Sequence, residues 1–243
     1  MKTGFRVPPL WTSISLAFVG GFMDALTFVF VGGVFSSMMT GNLMILGLGL
    51  VLPQTVFRPT FNIVAIFAFI AGVTLSALIP VSRKRGQFLV AAEVILLLLT
   101  AFFLFQSGPP EFFSRTASAE FAEIFAIIGA SMAMGIQSTL ISRIGSVPVS
   151  TTYMTSTLIR IVSEIAGRTA DVVIHPGSHI ALPVSGDAGS HSRVLFPILA
   201  AFLVGAIAAG LLIPSIGFIA IMAPVAALML IVVGWVEGES GSS

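Results

Sequence analysis

Long apolar stretches alternate with short polar breaks along the chain. The apolar runs lie near residues 11–34, 38–52, 60–80, 87–106, 118–140, 150–166, 194–213 and 217–236. Between Asp24 and Arg58 lie 33 residues (25–57) without a charged side chain, and between Arg193 and Glu237 lie 43 (194–236). A membrane-spanning helix needs about 20 apolar residues, so the second stretch predicts two spans, hinged at Pro214-Ser215-Ile216-Gly217. Two of the eight runs do not suit a crossing. The run after Gly41 stops at Pro53 after 12 residues (41–52), about 18 Å of helix against a hydrocarbon core of about 30 Å. The run from Ser150 carries Arg160 and Glu164, which at i,i+4 spacing share one helical face.

Positive charge arbitrates between topologies, because cytoplasmic loops carry an excess of Lys and Arg. If all eight runs cross, the Lys and Arg residues outside them divide six against four, which is no bias. If the two short runs enter and leave on one side, Lys2, Arg6, Arg83, Lys84, Arg85, Arg143, Arg160, Arg168 and Arg193 share a face, and only Arg58 and Arg115 oppose them. Nine against two predicts about six transmembrane helices plus two re-entrant half-helices, with both termini cytoplasmic. The fold class expected is an all-α polytopic membrane protein, residues 1–243 forming a single membrane domain.

Composition excludes the alternative of a soluble globule. Apolar residues make up 56% of the chain and charged ones 9%, against about 25% charged in soluble domains. The net charge of +1 comes without any basic run interleaved with aromatics, so nothing points to nucleic acid. Arg83-Lys84-Arg85, between two apolar runs, reads as a topology signal. The absence of cysteine excludes disulfides, thiolate metal sites and cysteine nucleophiles. Two basic residues and Pro8-Pro9 precede the first run and no small-residue cleavage site follows it, so Trp11 onward reads as a retained span rather than a signal peptide. The tail Gly238 to Ser243 is expected to be unstructured.

The two halves resemble each other. Gly21, Asp24 and Leu26 align with Gly135, Ser138 and Leu140 at an offset of 114, and Met39, Thr40 and Leu43 with Met154, Thr155 and Leu158 at 115. Gly72 and Leu78 match Gly205 and Leu211 at 133, the added length falling in the polar loop 171–193. Each half, about 11–106 and 118–236, reads as long helix, short polar re-entrant segment, helix, helix. Three crossings per half is odd, so the halves face opposite ways, which is the inverted 3+3 internal repeat of many secondary transporters.

Gly21-Phe22-Met23-Asp24-Ala25 and Thr40-Gly41-Asn42 resemble the first-half signature of the YoaK-like bacterial membrane proteins, a domain-of-unknown-function family. Gly135-Ile136-Gln137, Arg143 and Thr151-Thr152-Tyr153-Met154-Thr155 are similar to its second-half signature, with Ser138 where Asn is expected and Ser156 where Gly is expected. The likeness covers roughly 11–236 and implies a bacterial multi-pass protein of the cytoplasmic membrane, with no activity attached.

Asp24 lies mid-span, where a carboxylate costs roughly 2.5–3.5 kcal/mol on insertion scales and usually faces a cavity or a partner. Packing the bundle as a hydrogen-bonded or protonated group is its bland alternative. Glu93, early in its run, is a weaker candidate. The Thr40–Asn42 and Thr151–Thr157 segments each precede a short helix, and two half-helix N-termini entering from opposite faces would aim positive dipole ends at one central site. That suits an anionic or strongly dipolar solute, although the same residues also serve as ordinary caps. The candidate substrate or ion site is Asp24, Thr40, Asn42, Gln137, Arg143, Thr151, Thr152 and Thr155. His175 and His179 are four apart but separated by Pro176 and Gly177, so a solvated loop is expected rather than a metal site.

No nucleophile elbow or phosphate-cradling loop occurs, and neither enzyme chemistry nor a cofactor is expected. The sequence therefore predicts a secondary transporter of a small polar or anionic solute, with Asp24 as a proton or cation coupling group. A non-transporting membrane chaperone or assembly partner and a passive channel are the alternatives. The expected partners are the lipid bilayer and a small solute or ion, with homo-oligomers left open.

Overall fold

A computed structural model describes residues 10–52, 58–80, 85–108, 117–140, 143–144, 147–148, 154–173 and 188–240. The described chain is helical: α1 (Leu10–Val31), α2 (Met39–Val51), α3 (Pro59–Leu78), α4 (Arg85–Ser107), α5 (Ala117–Leu140), α6 (Met154–Val173), α7 (Ala188–Ile216) and α8 (Met222–Ser240). A two-residue antiparallel pairing, β1 (Arg143–Ile144) with β2 (Val147–Pro148), follows α5. Most helices follow the apolar runs, but α6 continues past its run to Val173 and α7 begins at Ala188, so the stretch expected as a polar loop over 171–193 is helical at both ends. Pro59 opens α3 at its first turn, where its missing N–H is not needed. Gly32 and Gly33 close α1 at φ 80 and 86, the left-handed region that only glycine adopts without strain.

Five segments are long and apolar enough to cross a membrane: Leu10–Val31, Pro59–Leu78, Arg85–Ser107, Ala119–Leu140 and Ser192–Val233. The last is 42 residues, about 63 Å if it were one helix and so about twice the hydrocarbon thickness. It is broken by a 3-10 turn at Gly217–Ile221 that starts with Gly217 at φ 60, after which α8 packs back onto α1 and α4. The hinge expected from Pro214 thus falls a few residues later, because α7 continues through Pro214 to Ile216. At 13 residues, α2 is too short to span. The tail expected to be unstructured from Gly238 is helical as far as Ser240.

Side-chain contacts fix the helix directions. At the start of α3, Arg58 Nη1 donates to Glu123 Oε2 on α5 (2.5 Å), Nη2 lies 3.5 Å from Glu120 Oε1, and the guanidinium stacks 3.7 Å over Phe61. Partial burial lowers this guanidinium from its ordinary value, and Glu120 opposes the shift. At the other end Thr139 Oγ1 donates to Ser76 Oγ (2.8 Å), so α3 and α5 run parallel. Between them in sequence α4 runs back: Arg85 Nη2 donates to Ser76 O, Thr100 Oγ1 to Ala126 O, and Phe103 stacks on Phe125. On the other side α1 runs parallel to α7, with Leu10, Ile14 and Ala17 packed among Val194, Leu195 and Ile198. The short helix α2 lies against α3, and α6 against α7. Large apolar side chains such as Phe67, Phe88, Phe102 and Leu211 point outward and are more than half exposed, the surface that lipid covers.

Two glycine crossings hold the bundle. A Cβ on Gly21 would fall 2.0 Å from Phe202 O, and one on Gly205 2.1 Å from Phe18 O, so α1 and α7 touch backbone to backbone. A Cβ on Gly135 would fall 2.3 Å from Phe69 O, and one on Gly72 2.2 Å from Met132 O, where α5 meets α3. The offsets read from the sequence relate these contacts one to one. Adding 114 to Gly21 and Phe18 gives Gly135 and Met132, and adding 133 to Phe69 and Gly72 gives Phe202 and Gly205.

Candidate functional site

The segment between α1 and α2 folds back over Asp24. Asn42 holds its near end, Oδ1 accepting from Phe35 N–H (2.9 Å) and Nδ2 donating to Phe35 O (2.7 Å). This amide thereby imitates a backbone partner for one residue of loop. The Phe35 ring packs on Phe28, 4.9 Å between centroids, and against Gly41, where a Cβ would meet it at 2.9 Å. Glycine at 41 lets the ring sit there.

That fold delivers Ser36 and Ser37 to the carboxylate. Asp24 Oδ1 accepts from Ser37 N–H (2.6 Å) and Ser36 Oγ (3.0 Å), and Oδ2 accepts from Ser37 Oγ (2.6 Å). Asp24 is 5% exposed and both serines are buried. The N-cap residue of α2, Met38, makes no side-chain cap of its own. Asp24 on the neighbouring helix therefore does the work of an N-cap, setting negative charge at the positive end of α2 and satisfying main-chain donors that hydrocarbon could not.

The other expected site residues are spread out. Thr40 and Thr155 sit at the starts of α2 and α6 with exposed side chains. Gln137 is buried in α5, its Nε2 donating to Leu16 O on α1 (2.8 Å) while Oε1 has no partner. Arg143 is in β1, and Thr151, Thr152, His175 and His179 lie outside the described residues. Asp24 and Asn42 thus share one loop, and Gln137 joins α1 and α5 nearer their other end. Ser36 and Ser37 were missed by sequence reasoning, though a serine pair just ahead of a short helix signals a cap. Missed as well were Thr12 and Ser13, whose buried hydroxyls have no partner among the described residues. Glu93 is 0% exposed, and among the described residues neither carboxyl oxygen has a partner.

Apolar helices with polar groups turned inward define a multi-pass membrane protein. The chain belongs to the family described as "Protein of unknown function (DUF1275)", which matches residues 12–234. It is 32% identical over 155 residues to the UPF0700 transmembrane protein YoaK of Bacillus subtilis (strain 168). That stretch is 63% of this chain and 65% of the relative, just under two thirds of its length. Both findings agree with the family read from the Gly21–Ala25, Thr40–Asn42 and second-half motifs. No solved structure matches.

Proposed function

We propose that this protein is a secondary transporter of a small polar or anionic solute in the bacterial cytoplasmic membrane, built as an inverted repeat of three crossings each. The observation that carries the reading is the exchange of glycine crossings. The Gly21–Phe202 approach has Gly135–Phe69 as its counterpart, and Gly205–Phe18 has Gly72–Met132. The first long helix of each half packs on the third element of the other half, as a two-fold axis in the membrane plane would require of halves facing opposite ways. In the same scheme α1, α3, α4, α5, α7 and α8 cross, α2 and α6 do not, and both termini are cytoplasmic.

The solute site lies by the half-helix ends. In the first half Asp24 already supplies the negative charge at the end of α2. Its repeat counterpart is Ser138, and Ser36 and Ser37 correspond at an offset of 115 to Thr151 and Thr152. The second half brings hydroxyls without a carboxylate, together with Arg143 and Thr155, and suits a solute that carries its own negative charge. The test is uptake into vesicles reconstituted with the full chain, using radiolabelled small organic and inorganic anions against empty vesicles. Accumulation of one chemical class that is lost in Arg143→Gln supports the reading. Equal fluxes with and without protein across the panel would remove it.

A further inference from the structure

Three carboxyl groups are buried in the described bundle, Asp24, Glu93 and Glu123, and the protein treats them differently. Asp24 accepts hydrogen bonds from Ser36 and Ser37, whereas Glu93 is fully buried with both oxygens unpartnered among the described residues. The flanking Leu89, Val90, Val94 and Leu97 on α4 are buried hydrocarbon. The elements that meet α4 are α5, α8, the 3-10 turn and, through Ser76 and the crevice lined by Leu75 and Ile79, α3, which carries no charged residue, and none of the others brings charge to this level. After Glu123, which is tied to Arg58, α5 carries none; α8 carries none before Glu237, and the turn carries none. On α4 the nearest charge is Arg85, eight residues away, about 12 Å along the helix, and its guanidinium is directed to Ser76 O.

We infer that Glu93 is a proton-binding site, the group that carries the proton of a proton-coupled cycle. A carboxylate without a partner is too costly in hydrocarbon, while the neutral acid is tolerated. A metal ion would need several oxygen ligands, six to eight for calcium. Thr100 meets Ala126, and Leu89 and Ile136 line one crevice, so Glu93 is level with about residue 132 of α5. The hydroxyl that α5 offers near there is Ser131, too little for a coordination shell. A proton needs nothing beyond the carboxyl itself. Losing it requires water at Glu93, hence a parting of α4 from α5 or α8, so the neutral form belongs to the closed packing and the ionised form to an open one. This gives the transport reading, on which its purpose rests, a coupling step: protonation closes the bundle and opening toward the other side releases the proton.

The full chain in phospholipid vesicles is treated with dicyclohexylcarbodiimide, a lipid-soluble reagent that attacks protonated carboxyls, and peptides are analysed by mass spectrometry. Glu93 should be labelled, the rate falling roughly tenfold per pH unit above its midpoint as for any single ionising carboxyl. Glu93→Asp, which keeps a carboxyl one methylene shorter, should keep the label and Glu93→Gln should lose it. No label on Glu93 between about pH 5 and about pH 9, a range wide enough to bracket perturbed carboxyls, would overturn the inference. So would protection by sodium or potassium chloride relative to choline chloride, which would make the site a cation site. The experiment uses no solute. Labelling without solute movement retires the transport reading and its coupling step but keeps Glu93 as a proton-binding site, and solute movement without labelling retires the Glu93 site alone.

Discussion

The carboxylate of Asp24 on α1 accepts the main-chain N–H of Ser37, 2.6 Å away and 13 residues later, at the entrance of α2. One helix therefore caps the next. Asp24→Ala strands the buried Ser37 N–H and two hydroxyls. Each buried group left unsatisfied costs about 1–3 kcal/mol, so a loss of roughly 3 kcal/mol is expected. Asp24→Asn keeps an acceptor for the N–H and should lose about 1 kcal/mol. Thermal unfolding in detergent measures both, and an Asp24→Ala protein that melts with the wild type would show that the cap carries no load.

The glycine crossings predict paired effects. Alanine at Gly21 and at Gly135 places a methyl against a carbonyl on the facing backbone, 2.0 and 2.3 Å away, and backbone cannot swing aside as a side chain can. Each should destabilise by about 1–3 kcal/mol or more, the usual range of overpacking, and by similar amounts if the halves are equivalent. Gly47→Ala, whose Cβ would meet nothing within 4 Å, should be neutral or stabilising by up to about 1 kcal/mol through helix propensity. Unequal losses at Gly21 and Gly135 would count against equivalent halves.

Much of this fold was legible because hydrophobic length and glycine spacing are direct imprints of bilayer thickness and helix approach. The run ending at Pro53 marks α2 as too short to span, and the offsets 114 and 133 pair Gly21 with Gly135 and Gly72 with Gly205, although the sequence does not show that these glycines meet facing backbones. The partner of Asp24 was not legible. Ser36 and Ser37 reach it because Gly32, Gly33 and the Asn42–Phe35 bonds turn the loop back, and such a return depends on backbone angles that composition does not encode. The isolation of Glu93 was likewise hidden, since the sequence shows a charge on a helix but not which face is enclosed.

Arg58 ties α3 to α5 through Glu123, which is 3% exposed while Arg58 keeps 28%. Removing one partner of a buried pair leaves a desolvated charge, typically about 3–5 kcal/mol, but the exposure of Arg58 moderates this. Arg58→Ala should therefore lose about 2 kcal/mol. Arg58→Ala with Glu123→Gln should regain part of that, because the stranded carboxylate is gone. Chemical denaturation of the two variants measures the recovery, and a double variant no more stable than Arg58→Ala would remove the explanation.

Topology can be read directly, because the chain contains no cysteine. Lys84 precedes α4, Ser107 ends it, and Ser243 closes the chain. If α2 and α6 do not cross, Lys84 and the C-terminus share the cytoplasmic side, in agreement with the nine-to-two division of basic residues. If both cross, eight spans still return the C-terminus to its side, but Lys84 moves to the opposite one. Single variants Lys84→Cys, Ser107→Cys and Ser243→Cys in intact cells, treated with a membrane-impermeant maleimide, separate the two. Labelling from outside is expected at position 107 alone, with all three positions reacting after permeabilisation. Lys84→Cys and Ser243→Cys reporting opposite sides would mean that the short helix α2, about 20 Å long at 1.5 Å per residue, traverses a core of about 30 Å. That result would place Asp24 and Ser37 away from a half-helix end within the membrane, and the two halves would then superpose about the membrane normal.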